Sequence, residues 1–506
     1  FIILSLGFEN IINEKIKNDD IEFLPKILDY TCGAGHFLTE SIEELQKILK
    51  TIDTSKLSVE LKKKVEEYKT GTEWAEDFIF GIEKDYRLAR TSQIACYING
   101  DGEANIIFGD GLEEHEALKL DKKKFDVVIA NPPYSVKAFK NYLNVGKTHF
   151  DLFYALTERS KEIEVLFIER TKQVLAENGL AGIILPSTIL TNTGLYSKAR
   201  EILLKYFEIK AITELGSKTF IATGTTTVIA FLKRRSDDFV KDREYIADDL
   251  FNGIKRDKKL EHIDSGRLLK MFVDYREFNE AEYKKFLQGE ISEKLKETEM
   301  FKEYLNTFEN SSEINNFKKR LTFKNLSKAG QQKEVDKRFL EYTKQVEKEK
   351  FLYFILCLRS ERENLYDFQK TIIVKTGKEV NEQKEYLGYE FIGEKGSEGL
   401  RVLNYGGKMF DETNYENPEK ANSYIRNIIK DFGITDIPSV QQKNILFHSL
   451  IDLIDFNRIE FEKQINLIIN KKQNVKWRFD LLPFEKIATL EYGKPLPEEK
   501  RIMGSY

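Results

Sequence analysis

The chain has 506 residues, 41% hydrophobic and 32% charged, a balance that excludes a fibrous or disordered polymer and leaves room for several globular domains. Lys and Arg number 80 against 84 Asp and Glu, so the net charge of −4 excludes a uniformly basic nucleic-acid binder; any DNA contact must come from local patches or a partner. Cys32, Cys96 and Cys357 stand far apart in no metal-like spacing and predict reduced thiols in a cytoplasmic protein, and no apolar run approaches membrane-spanning length, so no membrane partner is expected.

Residues 1–16 carry helical spacing at Ile3, Leu6, Phe8, Ile12 and Ile16. The chain opens at Phe1 inside this pattern, which predicts a fragment of a longer polypeptide. A strand at 26–29 ends in Asp29 and runs into Tyr30-Thr31-Cys32-Gly33-Ala34-Gly35-His36-Phe37-Leu38, a Gly-x-Gly turn opening a helix. Such glycines let the backbone approach a ligand at a helix N-terminus. Leu38 occupies the place of the third glycine of a pyrophosphate fingerprint, so the turn is either another kind of ligand site or a plain βα turn. A second strand at 78–82 leads to Glu83, Lys84 and Asp85, where an acid suits ribose hydroxyls or simply ends a solvated strand. A third at 105–108 leads to Gly109-Asp110-Gly111-Leu112, in which Asp110 can accept from an adenine amino group with Leu112 against the ring, or can form a turn.

The fourth run, Phe125–Ala130, is apolar and β-branched and stops at Asn131-Pro132-Pro133-Tyr134. Prolines cannot continue a ladder, so these four residues sit just past the carboxyl end of a buried strand. Their chemistry suits a planar amino group. The lone pair of a purine amine is delocalised into the ring; acceptors on both N–H bonds, here the Asn131 side-chain oxygen and the Pro132 carbonyl, pull the nitrogen toward tetrahedral geometry. Pro133 stiffens the loop, and Tyr134 offers a face for a base flipped out of a duplex. The plain alternative is a strand closed by a Pro-Pro turn with Tyr134 in ordinary packing.

The order strand–acid–GxG, strand–Glu, strand–Asp, strand–NPPY resembles the S-adenosylmethionine-dependent amino-methyltransferases of γ type, and among them the modification subunits of type I, or fused modification–specificity, restriction–modification systems. The resemblance implies an α/β fold: a Rossmann-like methyltransferase sheet with helices on both faces, followed by a mostly helical region. It implies that S-adenosylmethionine is bound by Asp29, Thr31, Cys32, Gly33, Gly35, Phe37 and Leu38, by Glu83 and Lys84, and by Asp110, Gly111 and Leu112, with Asn131 and Phe167 completing the site. Asn131, Pro132, Pro133 and Tyr134 become catalytic. Phe220, in Leu215-Gly216-Ser217-Lys218-Thr219-Phe220, becomes the ring that stacks on the base opposite Tyr134, where the plain reading is a core residue at a strand start. The family's N-terminal Thr-Pro motif is absent and is expected upstream of Phe1.

Residues 135–149 contain Lys137, Lys140 and Lys147 and no acid, fitting either phosphate contact or a solvated loop. Residues 236–350 read as a charged helical insertion with breaks at Asn252-Gly253 and Ala329-Gly330. A mixed α/β extension at 351–411 has strands expected at 351–358 and 371–374. Its Tyr386-Leu387-Gly388-Tyr389-Glu390-Phe391 and Lys395-Gly396-Ser397-Glu398-Gly399 resemble a passage of type I modification subunits. A helical linker is expected over 412–476, with a helix starting around Pro418 and a long amphipathic one over 441–471. Residues 477–506 resemble the opening of a target-recognition domain. The methyltransferase domain itself is expected over 1–235. The resemblance implies a site-specific DNA adenine N6-methyltransferase whose partners are double-stranded DNA, a specificity domain or subunit, and a restriction subunit. An RNA base or a protein glutamine as substrate, a binding module without turnover, and a bifunctional restriction enzyme with an upstream nuclease remain open.

Overall fold

In a computed structural model, which describes residues 1–99, 105–116, 124–143, 149–216, 219, 226–253, 263–359, 365–392, 399–432 and 436–468, the apolar runs assemble around one large sheet. Its strands are β1 (Ile27–Asp29), β2 (Ile79–Glu83), β3 (Asn105–Phe108), β4 (Phe125–Ala130), β5 (Leu175–Pro186), β6 (Phe207–Glu214), β7 (Thr227–Arg234) and β8 (Lys370–Val374). A hairpin, β9 (Tyr389–Ile392) with β10 (Gly399–Val402), stands apart, and β11 (Ile445–Ser449) returns to the sheet. The spatial order is β11-β8-β6-β7-β5-β4-β1-β2-β3. β1 to β5 pair in parallel, β7 runs antiparallel between β5 and β6, and β11 pairs antiparallel with β8.

The centre of the sheet is dry. Val127, Val128, Ile129 and Ala130 of β4 are fully buried, as expected for a parallel strand covered on both faces. One face is covered by α1 (Ile2–Leu6), α2 (Phe8–Lys17), α3 (His36–Thr51), α4 (Val59–Thr70) and, beyond the short α5 (Ala75–Phe78), by α6 (Tyr86–Ile98). From β1 the chain moves through β2 to β3; from β4 it moves the other way, through α7 (Glu164–Val174) to β5 and α8 (Leu195–Tyr206) to β6. Right-handed crossovers in opposite directions put α7 and α8 on the opposite face. The order therefore reverses between β1 and β4, where open α/β sheets form their ligand crevice.

Between β7 and β8 the charged segment is helical throughout its described residues. It comprises α9 (Asp237–Asn252), α10 (Ser265–Tyr275), α11 (Glu280–Leu287), α12 (Glu293–Lys296), α13 (Glu299–Asn310), α14 (Ser312–Lys319), α15 (Leu321–Lys324) and α16 (Lys328–Leu356). Ser236, Asp264, Asn279, Ser292, Thr298, Ser311 and Ser327 cap seven of them by accepting a backbone N–H. Gly253 closes α9, and Gly330 sits in the first turn of α16.

Three expectations are corrected. The strand expected at 351–358 is the buried end of α16 up to Leu356. The helix expected from 441 is β11 followed by a 3-10 turn at Leu450–Leu453. The helix near Pro418 begins at Ala421, as α18 (Ala421–Ile429), which follows α17 (Val380–Leu387). Residues 1–467 form one compact unit; of the second unit, 468–506, only Ile468 is described, so the expected target-recognition opening lies outside the described residues. Among the described residues no helix is long and apolar enough to cross a membrane.

Candidate active site

Ile27 and Leu28 of β1 are in register with Val127 and Val128 of β4, so Asp29 and Asn131 leave neighbouring strands on the same rim. Asp29 is buried, and its Oδ1 accepts the Thr31 N–H at 2.9 Å. Burial pushes this carboxyl up to about 7; the Thr31 hydrogen bonds oppose the shift and the Glu83 charge adds to it. The turn then closes on glycine for a steric reason: Gly35 has φ 87°, and a Cβ there would lie 2.4 Å from the Ser92 hydroxyl.

Glu83, at the end of β2, ties two strand ends together. Its Oε2 accepts the Gly33 N–H at 2.8 Å and its Oε1 the Asp85 N–H at 2.7 Å. Asp110, past β3, accepts the Leu112 N–H at 3.0 Å and the Lys84 ammonium at 2.6 Å. Three acids thus line consecutive strand ends. Each carboxylate keeps lone pairs for a ligand donor.

At the end of β4, Pro132 is buried, Pro133 exposed, and Asn131 and Tyr134 half-buried. The Tyr134 hydroxyl donates to Asn131 Oδ1 and also approaches the Ile184 carbonyl of β5, at 3.2 Å. Burial raises the Tyr134 phenol further above its ordinary range, with the Glu164 charge adding to the effect, so the hydroxyl stays a donor. Ser135 follows in the left-handed region with φ 54°, a conformation a non-glycine residue keeps only when its surroundings hold it.

What holds it was not visible in the sequence. Glu164, fully buried at the start of α7, accepts the Ser135 N–H at 3.3 Å and the Tyr196 hydroxyl at 2.7 Å. Arg170, one helical face further on, donates to the Gly111 carbonyl at 3.0 Å and to Glu114 at 2.8 Å, clamping the loop after β3. Neither lies in a motif; both act on residues distant in sequence, and no local pattern announces them.

Other expected residues separate. Leu38 and Leu112 are fully buried, and Cys32 is buried with its sulfur 3.8 Å from the Ser92 hydroxyl, so these side chains back the crevice rather than face it. Phe167 is buried too and stacks on Tyr30 at 5.3 Å, so it supports the β1 turn from behind. Thr31, Gly33 and Phe37 remain partly exposed on the rim. Lys140, expected among the phosphate contacts, donates to the Leu156 carbonyl at 2.8 Å. Phe220 and Lys147 lie outside the described residues.

The acceptor set fits a ligand that is cationic at one end and rich in N–H and O–H groups: three carboxyl groups stand at consecutive strand ends, and a Cβ at Gly33 would meet nothing within 4 Å. S-adenosylmethionine, with an ammonium, a sulfonium, a ribose diol and an adenine amine, is such a ligand. The sheet order, the acid-ended strands and the NPPY loop beside them define a Rossmann-like, S-adenosylmethionine-dependent methyltransferase. The model of the N-6 DNA methylase family matches residues 18–350, and the chain belongs to that family.

Among curated proteins, the chain is 28% identical over 283 residues to the type II restriction enzyme and methyltransferase RM.Eco57I of Escherichia coli, covering 45% of this chain and 28% of that protein. It is 30% identical over 159 residues to the type I restriction enzyme MpnII methylase subunit of Mycoplasma pneumoniae, covering 30% and 29%. The aligned part therefore spans under a third of either relative. The type I restriction-modification system methyltransferase subunit from Streptococcus thermophilus is a solved structure with TM-score 0.33 at 17% identity, covering 46% of this chain and 44% of that one.

Proposed function

We propose that this chain is the methyltransferase part of a cytoplasmic restriction–modification system, and that it methylates N6 of an adenine flipped out of double-stranded DNA. The observation that carries the reading is the Asn131–Tyr134 loop at the carboxyl end of β4, beside acid-ended β1 at the point where the strand order reverses.

Asn131 Oδ1 and the Pro132 carbonyl accept the two N–H bonds of the adenine amine and turn its lone pair out of the ring. Tyr134 stacks on one face of the base. Asp29 and Thr31 hold the charged end of the cofactor, Glu83 its ribose and Asp110 its adenine. When bound, S-adenosylmethionine supplies a methyl group on a sulfonium, which makes a neutral thioether the leaving group. The methylated nitrogen carries one proton too many and releases it to water, so no strongly basic side chain is needed at N6. Extruding the base costs a few kcal/mol, and stacking on an aromatic ring returns about 1–3 kcal/mol. Sequence choice belongs to a specificity domain or subunit, and cleavage to a restriction subunit.

A second reading has one observation in its favour: RM.Eco57I is named as both restriction enzyme and methyltransferase. On that reading this chain is the methylating part of a bifunctional enzyme, and the complete polypeptide also cleaves DNA.

The test uses the product of the complete reading frame with S-adenosylmethionine and unmethylated genomic DNA. 6-Methyladenine should accumulate, and Asn131→Ala should abolish it. Cofactor binding without methyladenine would overturn the reading and move the substrate to RNA or protein.

A further inference from the structure

Beside Tyr134 lies an apolar cavity of about 350 Å³, within the size range of small-ligand pockets. Phe37 of α3, Ile184 of β5 and Leu215 and Thr219 after β6 form part of its lining. The Ile184 carbonyl is the one that the Tyr134 hydroxyl approaches, so Ile184 stands between the cavity and the NPPY loop. Phe1, Ile2 and Ile229 add to it, and a further wall comes from beyond residue 350, where the family match stops, with Leu387, Gly388 and Tyr389 in it.

This wall is built rigidly. Gly388 has φ 78° and Gly407 φ 48°, and their backbones cross so closely that a Cβ on Gly388 would sit 2.4 Å from the Gly407 nitrogen, and one on Gly407 2.5 Å from the Tyr386 carbonyl. The crossing is sealed by the Leu403 N–H to the Gly388 carbonyl at 2.9 Å and the Lys408 N–H to the Tyr386 carbonyl at 2.8 Å. Tyr386 is anchored inward, its hydroxyl donating to the buried Gln441 at 3.0 Å. Three residues on, Tyr389 reaches the other way: its hydroxyl lies 3.3 Å from the Thr219 hydroxyl. Leu387 meanwhile packs where a Cβ on Gly216 would be, 2.9 Å from its Cδ1. Gly216 and Thr219 are thus both held by the Leu-Gly-Tyr turn.

We propose that Tyr389 is a positioning residue for the methyl transfer: its hydroxyl holds Thr219, and its ring walls the cavity that receives the extruded adenine beside Tyr134. This rests on the adenine-methyltransferase reading above. A mostly apolar pocket with the hydroxyl-bearing Thr219 and Tyr389 in its lining suits a purine, which is stacked on its faces and hydrogen-bonded at its rim. It also gives the Leu-Gly-Tyr passage a physical role: its glycine permits the backbone crossing that aims Tyr389.

The test compares Tyr389→Leu, Tyr389→Phe, Thr219→Val and the Phe–Val double variant, each in the complete polypeptide, with tritiated S-adenosylmethionine and unmethylated genomic DNA. Tyr389→Leu should raise KM for DNA by about fivefold or more while the cofactor Kd stays within about twofold. Tyr389→Phe and Thr219→Val should each raise KM by about two- to threefold, and the double variant no further, because both remove one hydrogen bond. Unchanged KM in all variants of an enzyme that makes 6-methyladenine overturns the inference and leaves the function standing. Parallel loss of cofactor and DNA binding, with a lower Tm, also overturns it, since that is a purely structural role. If the leucine variant does not fold, the Phe–Val cycle decides alone: additive or absent effects overturn the inference. A wild-type enzyme that makes no methyladenine removes both.

Discussion

At Asn131 the resting structure and the proposed chemistry compete for one oxygen. Oδ1 accepts the Tyr134 hydroxyl, and the same atom must accept an adenine N–H during transfer. The ring of Tyr134 is needed for stacking, and its hydroxyl has to let go. Tyr134→Phe keeps the ring and frees the oxygen, so its methylation rate should stay within about threefold of the parent. Tyr134→Ala loses the stacking of about 1–3 kcal/mol, roughly 5- to 140-fold in kcat/KM. A phenylalanine variant as impaired as the alanine one would show that the hydroxyl itself takes part. Asp29 sets a pH dependence. Its carboxyl is pushed up to about 7 by burial, so near pH 6 this group is mostly protonated. A cationic cofactor binds the ionised form better, so cofactor Kd should fall as pH rises through about 7 and level off above it; Asp29→Asn should flatten that profile in calorimetric titrations. For folding the sign is opposite. The protonated form favours the native state, so the contribution of Asp29 is fully present below its unfolded pKa of about 4 and is lost as pH rises from there to about 7.

Among the elements, those with unambiguous ends could be read from the sequence. β1 to β4 are short apolar runs closed by an acid or by prolines, and the Gly-x-Gly turn and NPPY loop hang on those ends. Where the apolar pattern was continuous, reading failed. Phe351 to Leu356 is apolar enough for a buried strand, yet it finishes α16, whose tail is dry on all sides; a short apolar run does not distinguish the two. Leu446, Leu450 and Leu453 fit a helical stripe, but β8 has an open edge there and β11 fills it, a tertiary demand that overrides local spacing. Within the site, Glu164 and Arg170 escaped because their partners are distant in sequence. α16 shows how the insertion holds itself. Glu347, fully buried, accepts the Tyr283 hydroxyl at 2.7 Å and the Tyr304 hydroxyl at 2.5 Å, and lies 3.4 Å from the buried Arg276 guanidinium. Burial alone would raise its pKa; Arg276 and Lys350 outweigh burial and hold it below the ordinary range. Glu347→Ala strands a buried cation and two phenols, a loss of about 3–5 kcal/mol, to be read as an earlier urea transition by circular dichroism. Because the cluster lies away from the NPPY loop, methylation by the variant's folded fraction should be unchanged.

At the scale of the molecule, the family match at 18–350 and the folding unit at 1–467 do not coincide. β8 pairs with β6 through Ala211–Ile372, Ile212–Ile373 and Thr213–Val374, and β11 pairs with β8. Arg426 of α18 crosses to the other end of the sequence, donating to the Leu4 carbonyl at 2.7 Å and pairing with Glu9. A chain cut after residue 350 would expose the eight-residue edge of β6, uncover the apolar face beneath α18, and lose the Tyr389 wall. Such an edge is a template for aggregation. The cut chain should therefore be recovered mainly in inclusion bodies, while a chain ending at residue 467 should be soluble. The longer chain should bind cofactor like the uncut protein, because it keeps every strand of the described sheet. A soluble, cofactor-binding 1–350 fragment would mean that the extension is an accessory laid on a finished domain. Its failure beside a stable 1–467 chain would mean that the sheet, and the cavity lined by Ile184 and Tyr389, are completed only when the last strands return.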